Sequence, residues 1–511
     1  MRKRLLAAGS TAVLLLLAAC SGGAGSGSAT TGAAAGGSDT LTLGDVSYPA
    51  SWDVNGLSIA HYVDYFDAVY DTLIRQDGTG KLVPGLATDW SYDSARTTLT
   101  LTVRSGIKFT DGTDFNADAV VANVKAFKAS STPDLSNAQY ISGVTAPDAT
   151  HVVFTLSAPD PMLTRWLTGS LGFMESPKQL TAADAKTNPV GTGPYTLDTA
   201  KTVVGSKYVF EKNPSYWDTS YHVYKTLTIN YYESPTALLN AVQGGQLDAS
   251  AFSDFSSLPQ VQKAGYTVNK SQLDWSGLIF YDRDGKQDAA LGNVKVRQAI
   301  NYAIDRAGIL KAIEGGNGTV TSSVFGKATA GYDASLDSYY TYDPAKAKQL
   351  LSDAGYPNGF TLTMPSASLI NQSLLTTIQQ ELGAVGITVK YTDVGSNFIT
   401  DLLGGKFTSS WMQLASANDW QFAQLALVPK ATFNPFHTES PEADKLFATM
   451  QSGSDADAAA AAKSLNTYMT ENAWFAPFFR IDNLFLSKPG TKVTMAADNT
   501  TPYLYLIQPA S

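Results

Sequence analysis

An α/β protein of at least two lobes is predicted by three observations. Period-two apolar strands alternate with stretches of helical spacing, no fixed-period repeat interrupts them, and the globular part is too long for one core. Single cores stop growing near ~250–300 residues, and this chain has 511.

The strand signal is clearest at Leu41-Thr42-Leu43, over Thr98 to Val103, and from Val152 to Leu156, each bounded by Gly, Asp or Pro turns. Between the last two, Ala117 to Phe127 brings Val120, Val121, Val124 and Phe127 to one helical face behind Asn116 as its cap. The same grammar recurs from Ser234 to Gly244, with Ser at the cap, Pro in the first turn and Gly at the end. Asp343-Pro344 through Gly355 is another copy. A further helix is predicted from Lys295 to Ala312, where Val296, Ile300, Ala303, Ile304 and Ala307 form a stripe ringed by Arg297, Asp305 and Arg306. Lobes of this kind leave a crevice where ligands are held and hinge motion closes.

The N-terminal residues are not part of that architecture. Met1, Arg2, Lys3 and Arg4 precede an apolar run from Leu5 to Leu17, the pattern of a signal peptide over residues 1–19. Leu17-Ala18-Ala19-Cys20 resembles a bacterial lipobox, which implies cleavage before Cys20 and a lipid on its thiol. Cys20 is the only cysteine, so the mature domain has neither a disulfide nor a thiolate metal site. Ser21 to Ser38 is almost wholly Gly, Ala, Ser and Thr, the composition of a flexible linker. Its root-mean-square span would be about 23 Å. The expected location is the extracytoplasmic face of the cell membrane, with the lipid as anchor. The formal charge of −9 becomes −12 once Arg2, Lys3 and Arg4 are removed, which argues against nucleic acid as a partner.

Nothing in the sequence assembles a catalyst. His61, His151, His222 and His437 are scattered singly, without HExxH spacing, and no GxSxG occurs. Gly191-Thr192-Gly193-Pro194 lacks the Lys-Ser/Thr of a phosphate cradle and reads as a tight turn. No carboxylate pair stands out for glycoside hydrolysis. The expectation is therefore no enzyme, no cofactor and no metal. Aromatic residues are plentiful, and most belong to cores. Trp90 and Trp217 follow turn-bounded apolar segments and read as packing residues. Trp275, Trp411 and Trp420 lie in less regular stretches and are the cleft candidates.

Several segments together resemble the solute-binding proteins of peptide and nickel ABC importers, the family of the oligopeptide- and dipeptide-binding proteins. In order, they are Leu82 to Trp90 with its PGLA core, Val103 to Gly112, Gly191 to Tyr195, Asn213-Pro214-Ser215-Tyr216-Trp217, and Gly244 to Asp248. Val296 to Arg306 is the strongest, followed by Tyr342 to Ala347 and Ala354-Gly355-Tyr356. The resemblance implies a periplasmic-binding-protein-like fold: lobe I from residues 39–82, 190–282 and 480–511, an extra subdomain at 83–189, lobe II at 283–479, and a hinge at the crossings. It also implies capture of a short peptide for a membrane permease and its ATPase subunits, by a monomer, with backbone hydrogen bonds like those of an added strand.

Family peptide binders pair an aspartate with the ligand's amino terminus, and Asp419, in Ser416 to Phe422 after Trp411, is the matching position. A carboxylate there would form a charge-assisted hydrogen bond to an ammonium. The family's following Asp-Pro is replaced by Phe422-Ala423. At the ligand's other end, Lys406 is the only base from Tyr391 to Val428, and Arg283 and Arg480 flank the expected hinge as structural ion pairs or ligand contacts. An oligosaccharide is the alternative ligand, which Trp411, Gln413, Trp420 and Gln421 would suit. A cell-surface hydrolase is the remaining alternative, and the scattered histidines disfavour nickel or haem.

Overall fold

The computed structural model describes residues 39–510 except 57–61, 133, 222–223 and 369. The signal peptide, Cys20, the linker, His61 and His222 lie outside the described residues. The first lobe is built on a seven-stranded sheet in the order Thr267–Ser271, Asn483–Ser487, Ala249–Phe252, Thr40–Asp45, Thr226–Tyr231, Lys207–Lys212, Tyr195–Leu197. Thr40–Asp45 runs parallel to both of its neighbours, with Leu43 opposite Ile229 on one side and Ala249 on the other. The predicted alternation at Leu41 and Leu43 puts both side chains in a core with Tyr65, Phe66, Tyr208 and Leu227. Helix Pro235–Gln243 covers the sheet, started by the Ser234 hydroxyl, which accepts the Ala237 N–H.

A separate antiparallel sheet, Ala87–Tyr92, Thr98–Val103, His151–Leu156, Ile141–Thr145, carries its own core. Leu99, Leu101 and Phe154 on that sheet meet Val120, Val124 and Phe127 of helix Ala117–Ala129. The Asn116 side chain caps that helix through the Ala119 N–H at 3.0 Å. The Gly191-Thr192-Gly193-Pro194 turn presses on the end of helix Val63–Val69, where a Cβ at Gly191 would stand 2.1 Å from the Val69 carbonyl oxygen.

The second lobe centres on the antiparallel sheet Gly318–Val320, Phe475–Ile481, Asp274–Phe280, Ser409–Ala415. One face packs on helices Val294–Ala303, Arg306–Glu314 and Gln372–Ala384, and the other on Asp419–Ala426, Pro441–Ser452 and Asp455–Glu471.

Two expectations are corrected. The helix from Lys295 to Ala312 is two helices, because Ile304 is extended (φ −92°, ψ 120°) and Asp305 caps the second through the Gly308 N–H at 3.0 Å. The arginines expected to ring it, Arg297 and Arg306, are buried. Sheet membership also moves the first crossing. Thr267–Ser271 belongs to the first sheet and Asp274–Phe280 to the second, so the chain passes between lobes at 272–273, ten residues before the expected 283. Leu278, Ile279 and Phe280 are fully buried in the second lobe and carry the strand with them. The chain returns at Asp482, between Phe475–Ile481 and Asn483–Ser487. Gln272 Nε2 donates to Asp482 Oδ1 at 2.8 Å and to Thr319 Oγ1 at 2.9 Å, and Lys270 Nζ donates to Asp482 Oδ2 at 2.8 Å, so both crossings are tied together.

Candidate functional site: the cleft between the lobes

Strand Ser409–Ala415 leads through three residues into helix Asp419–Ala426. Asn418 caps that helix by accepting the Trp420 N–H at 2.9 Å and the Gln421 N–H at 3.2 Å. Asp419 is then the first helical residue. Its carboxylate is buried, and each oxygen stands 3.1 Å from the Gly331 nitrogen, which donates to it. The approach depends on Gly331, where a Cβ would lie 2.8 Å from Asp419 Oδ1. Burial pushes the Asp419 carboxyl above the usual carboxylate range, against the pull of the Gly331 N–H and the more distant Arg165. No Lys or Arg among the described residues forms an ion pair with it.

Asp419 and Trp420 form one wall of a cavity of about 570 Å³, with Met450 and Ala462 behind them. Trp90, Tyr92, Pro161, Thr164 and Arg165 of the first lobe form the other. A second cavity of about 460 Å³ adjoins it, lined by Met162, Trp166, Phe173, Leu273, Phe422 and Leu425 among others. Arg165 and Asn418 border both cavities.

Arg165 lies on the short helix Leu163–Trp166 and is half-buried. Its Nη1 donates to Gln76 Oε1 at 2.8 Å and its Nη2 to the Gly80 carbonyl at 3.2 Å. Gln76 is held in turn, its Nε2 donating to Thr168 Oγ1 at 2.8 Å and to Asp498. The lobes also meet at the mouth of the larger cavity. Arg96 Nη1 stands 3.0 Å from Asp455 Oδ1 and 3.4 Å from the Gly453 carbonyl, and Gln451 Nε2 donates to the Pro159 carbonyl at 3.1 Å.

Of the residues singled out in the sequence, Asp419, Trp420 and Gln421 line the cleft. Trp420 is mostly core, 6% exposed, with no partner for its Nε1 among the described residues. Trp275 is corrected: it is 1% exposed and packs against Phe475 and Phe422, because strand Asp274–Phe280 is central in its sheet. Trp411 likewise packs between the two cores of the second lobe, its Nε1 donating to Ser276 Oγ at 2.9 Å. Gln413 is exposed and reaches the cleft only through Asp274, to which its Nε2 donates at 2.9 Å.

Arg283 and Arg480 are structural. Arg283 lies over the Trp474 ring and donates to the Phe280 carbonyl, while Arg480 pairs with Asp337 at 2.8 Å. Trp90, expected to be packing alone, borders the larger cavity, as do Tyr92, Arg96 and Arg165. The one available signal for Arg165 was a lone cation inside the otherwise uncharged run Pro161 to Met174. Among the described residues no three His, Cys, Asp or Glu side chains converge as a metal site would require.

A family model described as bacterial extracellular solute-binding proteins, family 5 Middle, matches residues 81–435. The glutathione-binding protein GsiB of Escherichia coli O157:H7 is 30% identical over 403 residues, covering 74% of this chain and 76% of that protein. Among solved structures, HbpA2 from Haemophilus parasuis superposes with a TM-score of 0.83 at 21% identity, covering 92% of this chain and 100% of that one. The periplasmic binding protein DppA from Helicobacter pylori, in complex with the peptide STSA, gives a TM-score of 0.72 at 20% identity, covering 92% and 98%.

Proposed function

The chain belongs to the bacterial extracellular solute-binding proteins of family 5, and from that premise we propose that it captures a short peptide between its lobes and delivers it to the permease and ATPase subunits of an ABC importer. The mature protein acts as a monomer on the extracytoplasmic face of the membrane, held there by a lipid on Cys20. It binds without turnover.

One observation carries the peptide reading. Asp419 brings a buried carboxylate to the wall of a cavity shared by both lobes, where it accepts from the Gly331 N–H and the Thr329 side chain and has no ion-pair partner among the described residues. A desolvated carboxylate in that state is stabilised by an ammonium, and a peptide's amino terminus supplies one. Ala415 on the adjoining wall is the last residue of an edge strand and Ala417 follows just beyond it, where an extended ligand can add hydrogen bonds. The binding of glutathione by GsiB and of STSA by DppA accords with a small peptide.

The test is native mass spectrometry of the protein purified gently from its host, followed by denaturation to identify what it carried. Short peptides are expected. A hexose or pentose series would move the ligand to oligosaccharides, and product formation from peptide or glycan panels at catalytic protein concentrations would replace binding with hydrolysis.

A further inference from the structure

We propose that Arg165 is the receptor for a carboxylate of the ligand, so that the cleft selects small zwitterions with a free acid group. The inference rests on the peptide-binding reading and names the contact that reading lacks.

Three observations combine. Arg165 borders both cavities, so a ligand in either compartment passes its guanidinium. Its two hydrogen bonds go to neutral oxygens, Gln76 Oε1 and the Gly80 carbonyl, and no carboxylate among the described residues lies within ion-pairing distance. A guanidinium carries five N–H donors in a planar fork, so donors remain for a bidentate acceptor. Finally, the side chain is fixed before any ligand arrives. The Asp498 carboxylate and Thr168 hydroxyl accept from Gln76 Nε2, and this orients Gln76 Oε1 toward Arg165.

Other arginines show what satisfaction looks like in this protein. Arg75 pairs with Asp71 and Asp218, Arg96 with Asp455, and Arg480 with Asp337. Arg165 is as well positioned as these but has no ion-pair partner among the described residues, and unlike Arg297 and Arg306, which are buried against backbone carbonyls, it is half-buried at the wall of both cavities. Across the cleft, Asp419 is the opposite case, close enough to feel Arg165 but not paired with it. A molecule with an ammonium toward Asp419 and a carboxylate toward Arg165 satisfies both without either side chain moving to the other.

The experiment uses the full-length mature protein and a hydrolysate of short casein peptides, offered before and after methyl esterification of its carboxyl groups. Binding is read by native mass spectrometry and by thermal shift for the wild type, R165Q and R165K. The wild type is expected to take the free-acid pool and to bind the esterified pool roughly 10- to 100-fold more weakly, the range a charge-assisted pair commands. R165Q should lose the preference, and R165K should keep part of it, because it retains the charge without the fork.

Equal binding of both pools by the wild type, or an undiminished preference in folded R165Q, overturns the role of Arg165 while leaving peptide binding intact. Binding of neither pool by the wild type overturns the peptide reading, and the inference falls with it.

Discussion

In the second lobe two buried arginines, Arg297 and Arg306, rest their guanidiniums on backbone carbonyls. Arg306 donates to the carbonyls of Pro477, Asn301 and Thr321 at 2.7, 2.9 and 3.1 Å, and to Asn301 Oδ1 at 2.8 Å. Arg297 reaches the carbonyls of Leu291, Asn472 and Ala473 at 2.6 to 3.1 Å. In the first lobe, Asp71 is paired with Arg75, but other buried charges are carboxyls with little compensation. Burial pushes Glu175 up to about 8, with Asp53 adding to it, and Asp67 up to about 7. The partners of these acids are neutral: the Tyr70 hydroxyl donates to Glu175 at 3.4 Å and the Leu504 N–H to Asp67 at 3.0 Å.

The difference matters because a buried carboxyl can escape its desolvation by taking a proton near neutral pH, whereas an arginine cannot shed one. The second lobe must therefore solvate its cations with a fixed backbone, which makes Arg297 and Arg306 clamps between distant segments. In the first lobe the buried carboxyls of Glu175 and Asp67 instead couple stability to pH.

The largest effect expected is from R306M. Removing the guanidinium leaves several buried carbonyls without donors, at a cost of about 3–5 kcal/mol. Chemical denaturation should show that loss at both pH 5 and pH 8. A loss below about 1 kcal/mol would mean that the arginine clamps are dispensable and that the lobes do not differ in this way.

E175Q comes next. The folded pKa of Glu175 lies above its unfolded value near 4.5, so the folded chain retains a proton that the unfolded chain has lost. Its contribution is therefore neutral below about pH 4.5, and wild-type stability falls as pH rises toward about 8. E175Q should leave stability at pH 4.5 unchanged and raise it at pH 8.5, on the order of 1–3 kcal/mol, flattening the curve of melting temperature against pH. Asp67 would keep a shallower slope in place. Parallel curves for the two proteins would show that Glu175 does not carry the pH dependence of the first lobe.

The arginine clamps also explain what the sequence made easy to read. Val296 to Arg306 was the most recognisable segment because Arg297, Gln298, Asn301 and Arg306 are each answered by backbone from elsewhere, a demand on residue type that leaves a sharp pattern. The caps at Asn116, Ser234 and Asp343 were legible for a simpler reason, since each acts on an N–H only three residues away. The break at Asp305 was hidden by an apolar stripe that continues through it. Trp275 and Trp411 were misplaced because irregular local sequence says nothing about which strand is central and which core a ring meets. Beyond being a lone cation in an uncharged run, Arg165 gave no local sign of its place, because its partners, Gln76 and Gly80, come from more than eighty residues earlier.

R165Q sharpens the comparison from the cleft. Arg165 makes two hydrogen bonds and clamps no core, so its loss should cost less than about 1 kcal/mol of stability, well below R306M. Equal destabilisation of the two variants by denaturant would make Arg165 another clamp and withdraw it from the ligand.

The smallest stability change is expected at Arg96, where the first lobe reaches across to the second. Its guanidinium meets an almost fully exposed Asp455, and such pairs are worth about 0–1 kcal/mol. Arg96 holds that position in a left-handed turn conformation, φ 56°, which costs a non-glycine residue about 1 kcal/mol. R96G therefore trades strain for the lost pair and should unfold at nearly the wild-type temperature. Ligand release is the quantity that should change: it should be a few-fold faster than wild type in dilute salt, and the difference should shrink in 1 M salt, where the wild type's exposed pair is screened. Unchanged release at low salt would mean that the contacts tying Lys270 and Gln272 to Asp482 hold the lobes together without help from the mouth of the cleft.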